Sequence, residues 1–179
     1  MKYLILLSIV LFVSACEQKT EYEQLVQSEL ERDVRHDTLF LGYVLGMEHQ
    51  DFLDHSWDLN QQKIITGGTQ IEYPLKELSS EARMVFYPRF HDNKIVRMPV
   101  EISFNSWAIW NRELYSDHLI DELMEYYEEI YGPGFIYTTV PDLNREAWTK
   151  IDGNRRILIY PKDDMVARVE FLDLSVDQE

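Results

Sequence analysis

Asp51 and His55 stand four residues apart in Asp51-Phe52-Leu53-Asp54-His55, a spacing that puts a carboxylate beside an imidazole on one helix face. Such a pair orients a histidine for general acid–base work. With His49 nearby it also offers nitrogen and oxygen donors to a transition metal. No nucleophile on a glycine-framed turn accompanies the pair, and no second ligand cluster stands at metal-site spacing. The simpler reading is a solvated helix face, with no catalytic residue, no metal and no cofactor. Asp152-Gly153-Asn154 and Asp163-Asp164 fit turn chemistry better than a calcium loop with alternating oxygen donors. The aromatics are more suggestive. Trp107 and Trp110, three apart and flanked by Asn105 and Asn111, can form a platform for a sugar ring or a hot spot for a protein partner, or they can cover a sheet edge as core. Trp57 and Trp148 read as core.

Cys16 is the only cysteine in 179 residues and cannot form an internal disulfide. Before it lie Lys2, an uncharged apolar run from Tyr3 to Ala15, and Val13-Ser14-Ala15 at the cleavage position. The run is short of the roughly 18 to 20 residues that span a bilayer as a helix, so it reads as a cleaved signal. Residues 1–16 resemble a bacterial lipoprotein signal with a lipobox. That resemblance implies acyl chains on Cys16, enough for stable anchoring. Glu17 at the following position resembles sorting to the outer membrane, with periplasmic and outward orientation both open. An ordinary secretory signal with a free cysteine is the alternative.

Removing that signal takes Lys2 and no acidic residue, which moves the formal charge from -15 to -16. So acidic a surface repels nucleic acid phosphates and argues against a nucleic acid partner. Hydrophobic residues at 45% and aromatics at 13% suffice for one core.

Residues 17–37 are polar and charged and read as a tether, partly helical, with a reach of some tens of ångströms. Residues 38–179 read as one α+β domain. A first helix is expected over Glu48 to Gln62, with Phe52, Leu53, Ser56 and Leu59 on one face. Strands are expected over Gln70 to Tyr73, Arg83 to Phe90 and Lys94 to Phe104, the last two joined by a turn at His91-Asp92-Asn93. Pro88 and Pro99 predict an edge or a bulge in each.

The strongest helical period runs through Leu119, Ile120, Leu123, Met124, Tyr127, Ile130 and Tyr131, with Ser116 or Asp117 as its cap and Gly132-Pro133 as its end. Four strands should follow, over Phe135 to Val140, Ala147 to Ile151, Arg155 to Tyr160 and Val166 to Leu172. Each half thus reads as a helix and a meander, and each carries a strand ending in Tyr-Pro-basic, at Tyr87-Pro88-Arg89 and Tyr160-Pro161-Lys162. Tandem repeats over 38–105 and 106–174 would account for that, as would chance similarity of two hydrophobic hairpins.

A lipobox, Gly46-Met47 before a helix, and a helix ending in Tyr131-Gly132-Pro133 before a hairpin resemble the small envelope lipoproteins of the BamE/SmpA type. The tandem form resembles the β-lactamase inhibitor protein. Glu48 replaces the usual Ser or Thr after Gly-Met, and Leu59-Asn60-Gln61-Gln62 replaces a Gly-x-Pro ending. The resemblance implies a helix packed on an antiparallel meander and a non-enzymatic interaction or assembly role with an envelope protein partner. A glycan- or peptidoglycan-binding or hydrolytic module, or an inhibitor of a secreted enzyme, is the alternative.

Overall fold

A computed structural model describes residues 19–176. Cys16 and the apolar run before it lie outside the described residues. The helices are α1 (Glu21–Glu31), α2 (His49–Gln61) and α3 (Ser116–Tyr131). The strands are β1 (Thr66–Gly67), β2 (Ile71–Leu75), β3 (Ala82–Phe86), β4 (Arg89–His91), β5 (Lys94–Phe104), β6 (Ile136–Val140), β7 (Arg145–Asp152), β8 (Arg155–Pro161) and β9 (Ala167–Asp173).

All described strands join one antiparallel sheet in the order β1-β2-β3-β5-β9-β8-β7-β6, with β4 paired to β5. This is an α+β fold. The main core lies where α2 and α3 cover one face: Phe52 and Leu59 of α2 and Leu119, Leu123 and Tyr127 of α3 pack with Met84, Val100, Ile102, Ile157, Val169 and Phe171. Side chains alternate between the faces of a strand, so the neighbours of those residues point the other way. A second, smaller core forms there, from Val140, Ala147, Ile151, Leu158 and Tyr160.

That second core is closed by α1, a helix within the segment 17–37 expected as a partly helical tether, and it is docked on the sheet. Thr20 caps the helix through a capping box with Glu23, and Tyr22 is buried against the second core, with Leu25 and Val26 beside it. Carboxylate and amide contacts then hold the chain that follows. Glu29 accepts from the Gly153 amide at 3.0 Å, the His36 amide donates to Asn154 Oδ1 at 2.7 Å, and Arg155 donates to the Thr38 carbonyl at 2.6 Å. Gly153 has φ +53, and a Cβ there would lie 1.9 Å from the Val34 carbonyl oxygen, so only glycine permits this approach. Replacing Tyr22 with Ala is expected to cost about 2 kcal/mol of docking energy and to expose the α1 amides to hydrogen exchange while β8 and β9 stay protected.

The strand expected over Arg83 to Phe90 is broken at Tyr87-Pro88 into β3 and β4. Pro99 is not at a sheet edge: β5 is central, paired with β3 and β4 on one side and β9 on the other. It is tolerated because Phe86 pairs with Val100 and Arg89 with Arg97, leaving Pro99 opposite the break, where that ladder is already interrupted.

Neither Ser116 nor Asp117 caps α3. Tyr115 is the N-cap without a side-chain bond, and Ser116 instead donates to the 163–164 turn, amide to Asp164 at 3.0 Å and hydroxyl to Asp163 at 2.5 Å. Trp57 is 66% exposed rather than core, because α2 turns it away from the sheet with Leu53. Both halves send their last strands, β5 and β9, to the middle of the sheet, where they pair. The halves therefore share one sheet instead of forming two units, and this order alone does not establish a duplication.

Candidate functional site

The Asp51–His55 pair does not assemble a catalytic group. His55 Nε2 lies 2.7 Å from the Leu41 carbonyl, and its ring meets Tyr43 edge-on with centroids 4.9 Å apart. It also closes over Gly42, where a Cβ would stand 3.0 Å from the imidazole. His55 thus ties α2 to the turn at residues 40–43, while Asp51 is exposed. His49 lies against Phe90, 4.4 Å between ring centres, away from the His55 contacts. Among the described residues no group of three or more histidine, cysteine or carboxylate side chains could hold a metal ion.

The aromatic linker separates its two tryptophans. Trp107 is partly buried, packs on the main core and tilts against Tyr115 at 5.6 Å. Its indole Nε1 is buried without a hydrogen-bond partner. Tyr115 in turn donates from its hydroxyl to the Ile109 carbonyl at 2.9 Å, and the Arg112 guanidinium lies 4.4 Å above its ring. Asn111 caps a 3-10 turn over Arg112–Leu114, accepting from the Glu113 amide. These contacts fasten the loop from beneath and leave its tip outside: Ile109 is 68% and Trp110 86% exposed. A platform of two parallel indoles does not form. One indole anchors and the other is displayed.

Sequence reasoning did not find a second feature, a groove of about 380 Å³ between α3 and the β6–β7 end of the sheet. Tyr137 and Trp148 are register partners on β6 and β7, with ring centres 5.2 Å apart. They make its apolar floor with Ile120, Ile159 and Pro161, while Asp117, Asp121 and Glu146 stand at its rim. Asp117 and Asp121 are four residues apart on α3, a spacing that puts them on one side of the helix, but their meeting with Tyr137 depends on strand register across the sheet.

The groups whose ionisation is most displaced belong to the scaffold. Burial raises the phenols of Tyr127 and Tyr131 far above the usual range, and Tyr126 is pushed up to about 12 by burial and by Glu77 and Tyr73. All three sit on α3, with Tyr127 against the sheet at Phe171. Burial thus keeps these three phenols protonated where they pack. The chain was compared with known proteins, and no family model, no curated protein and no solved structure matches it.

Proposed function

We propose that this protein is a non-enzymatic, lipid-anchored interaction module of the bacterial cell envelope, held at the outer membrane through Cys16, whose displayed Ile109–Trp110 tip contacts a protein partner. The observation that carries the reading is Trp110, 86% exposed on a loop that Trp107, Tyr115 and Arg112 hold in place. An indole kept in water on a pre-organised loop is what a binding hot spot requires, because little conformational freedom is lost when a partner covers it. The resemblance of the chain's motifs to BamE/SmpA-type lipoproteins points the same way.

Docking of α1 changes the reach of the anchor. With a lipid on Cys16, only residues 17–19 precede the Thr20 cap, at most about 11 Å of extended chain. The domain would then stay against the lipid surface, and its partner would be a membrane protein or lie beside one.

Crosslinking from intact envelopes tests the tip. Trp110→Ala should abolish capture of one specific partner, a loss of about 2 kcal/mol or more in binding, while leaving stability within about 0.5 kcal/mol. Unchanged capture with Trp110→Ala, or recovery of glycan alone, would overturn the reading.

A further inference from the structure

The two edges of the sheet are treated differently. On one side the edge strand β1 is two residues long, Thr66–Gly67, and runs into Gly68, a blunted end. On the other side β6 reads Ile136-Tyr137-Thr138-Thr139-Val140, five strand-forming residues without a charge or a proline. No described strand pairs with its outer edge. Proteins ordinarily guard such an edge with a lysine, a proline or a bulge, because its free amides and carbonyls invite another strand. α1 covers β6 and β7 only from the face of the second core. The opposite face of the same two strands is the groove floored by Tyr137 and Trp148.

The charge of the groove narrows the ligand. Asp117 and Asp121 rise from the first turns of α3 and Glu146 from β7, and no lysine or arginine lines it. Tyr137, 55% exposed, donates to Glu146 at 3.4 Å, so a carboxylate lies beside an open aromatic ring. A cation is favoured there twice, by the carboxylates and by the ring face. An unguarded edge, an aromatic floor and an acidic rim meet at one end of the sheet.

We infer that β6 accepts an extended, basic segment of a protein partner as an added strand, with alternate arginine or lysine side chains reaching over Tyr137 and Trp148 to Asp117, Asp121 and Glu146. Main-chain hydrogen bonds to β6 supply affinity, and the groove supplies selectivity for side chains of every second residue. This deepens the proposed interaction role and rests on it, but uses a surface separate from the Ile109–Trp110 tip.

The test uses the residue 17–179 chain and a short peptide of alternating arginine and valine, with an alternating glutamate and valine peptide and an N-acetylglucosamine tetramer as comparators. The arginine peptide should bind in a salt-sensitive manner and slow hydrogen exchange of the β6 amides. Asp117→Asn with Asp121→Asn and Glu146→Gln should weaken it at least about tenfold, whereas Glu125→Gln with Glu128→Gln and Glu129→Gln on the outer side of α3 should not. Tyr137→Ala should weaken it as well, and Trp110→Ala should leave it unchanged, which separates failure of the groove from failure of the tip. Equal weakening by both acidic triples would mean general attraction to an acidic protein and would overturn the inference. Binding without protection of β6, or binding of the saccharide instead, would do the same.

Discussion

Replacing Arg156 with Met should destabilise the domain by about 3 kcal/mol, read as a lower urea midpoint. Arg156 is 1% exposed, yet its guanidinium donates to the Tyr22 hydroxyl and to both oxygens of Asp142 at 3.0 Å. It also lies 3.8 Å from Glu170, whose side chain is buried. Removing the cation leaves Glu170 with Arg97 at 3.8 Å and strips Tyr22 of its partner, so the sheet and α1 lose together. The Asp142 contact is partly open to water and screened, which keeps the expected loss at the lower end for a broken buried pair. Adding Glu170→Gln to Arg156→Met should recover part of it, since the stranded charge is then gone.

Acid offers an independent check of the same contact. Burial raises the Asp142 carboxyl, and the hydrogen bonds and charge of Arg156 outweigh it, so the folded value lies below the ordinary one. A depressed carboxylate stabilises the fold above its unfolded value near 3.9, and that stability is lost as pH falls through the lower folded value. Asp173 behaves alike: burial raises it, and the bonds from Ser175, Asn154 and Arg35 win. In Arg156→Met the Asp142 share of this acid loss should vanish while the Asp173 share stays. A variant within about 1 kcal/mol of the parent, with an unchanged acid limb, would show that the pair contributes little.

What could be read from the chain alone follows from how local each signal is. The strand Lys94 to Phe104 agrees with expectation at both ends, and the helix Ser116 to Tyr131 agrees at its end, though it starts a residue or two before the expected cap allows. The Asp92-Asn93 turn, with both residues at positive φ, fixes the start of the strand, and Gly132 at φ 80 followed by Pro133 ends the helix. α1 gave only half its meaning. Its polar composition hides a stripe of Tyr22, Leu25 and Val26, and the surface that buries it comes from strands more than a hundred residues later. The tryptophans show the same limit. A spacing of three in a loop does not say which indole turns inward; that is decided by Tyr115 beneath Trp107. Trp57 fails for a related reason, since α2 presents Phe52 and Leu59 to the sheet and its remaining apolar residues have nothing to cover.

Phe171→Ala is expected to cost about 3 to 5 kcal/mol, the range for deleting a fully buried aromatic. Its ring lies 5.7 Å from Phe40, 6.1 Å from Tyr127 and 5.7 Å from Tyr131, so it joins the turn before α2 to the inner face of α3. It also sits on β9, the strand that pairs with β5 of the first half and β8 of the second, opposite Met98 and Ile157. A cavity at that seam is shared by both halves, and neither can relax to fill it without moving the other. The variant should therefore unfold in urea as one transition at a lower midpoint, with β2–β3 and β6–β7 amides losing exchange protection together. If the repeats 38–105 and 106–174 were instead independent folding units, the seam could open while each retained its own helix and meander. Two separated transitions would reveal that. One transition is the expected result, because the core of α2 and α3 is continuous across β5 and β9 and the open seam would leave Met98, Val100, Val169 and Phe171 in water.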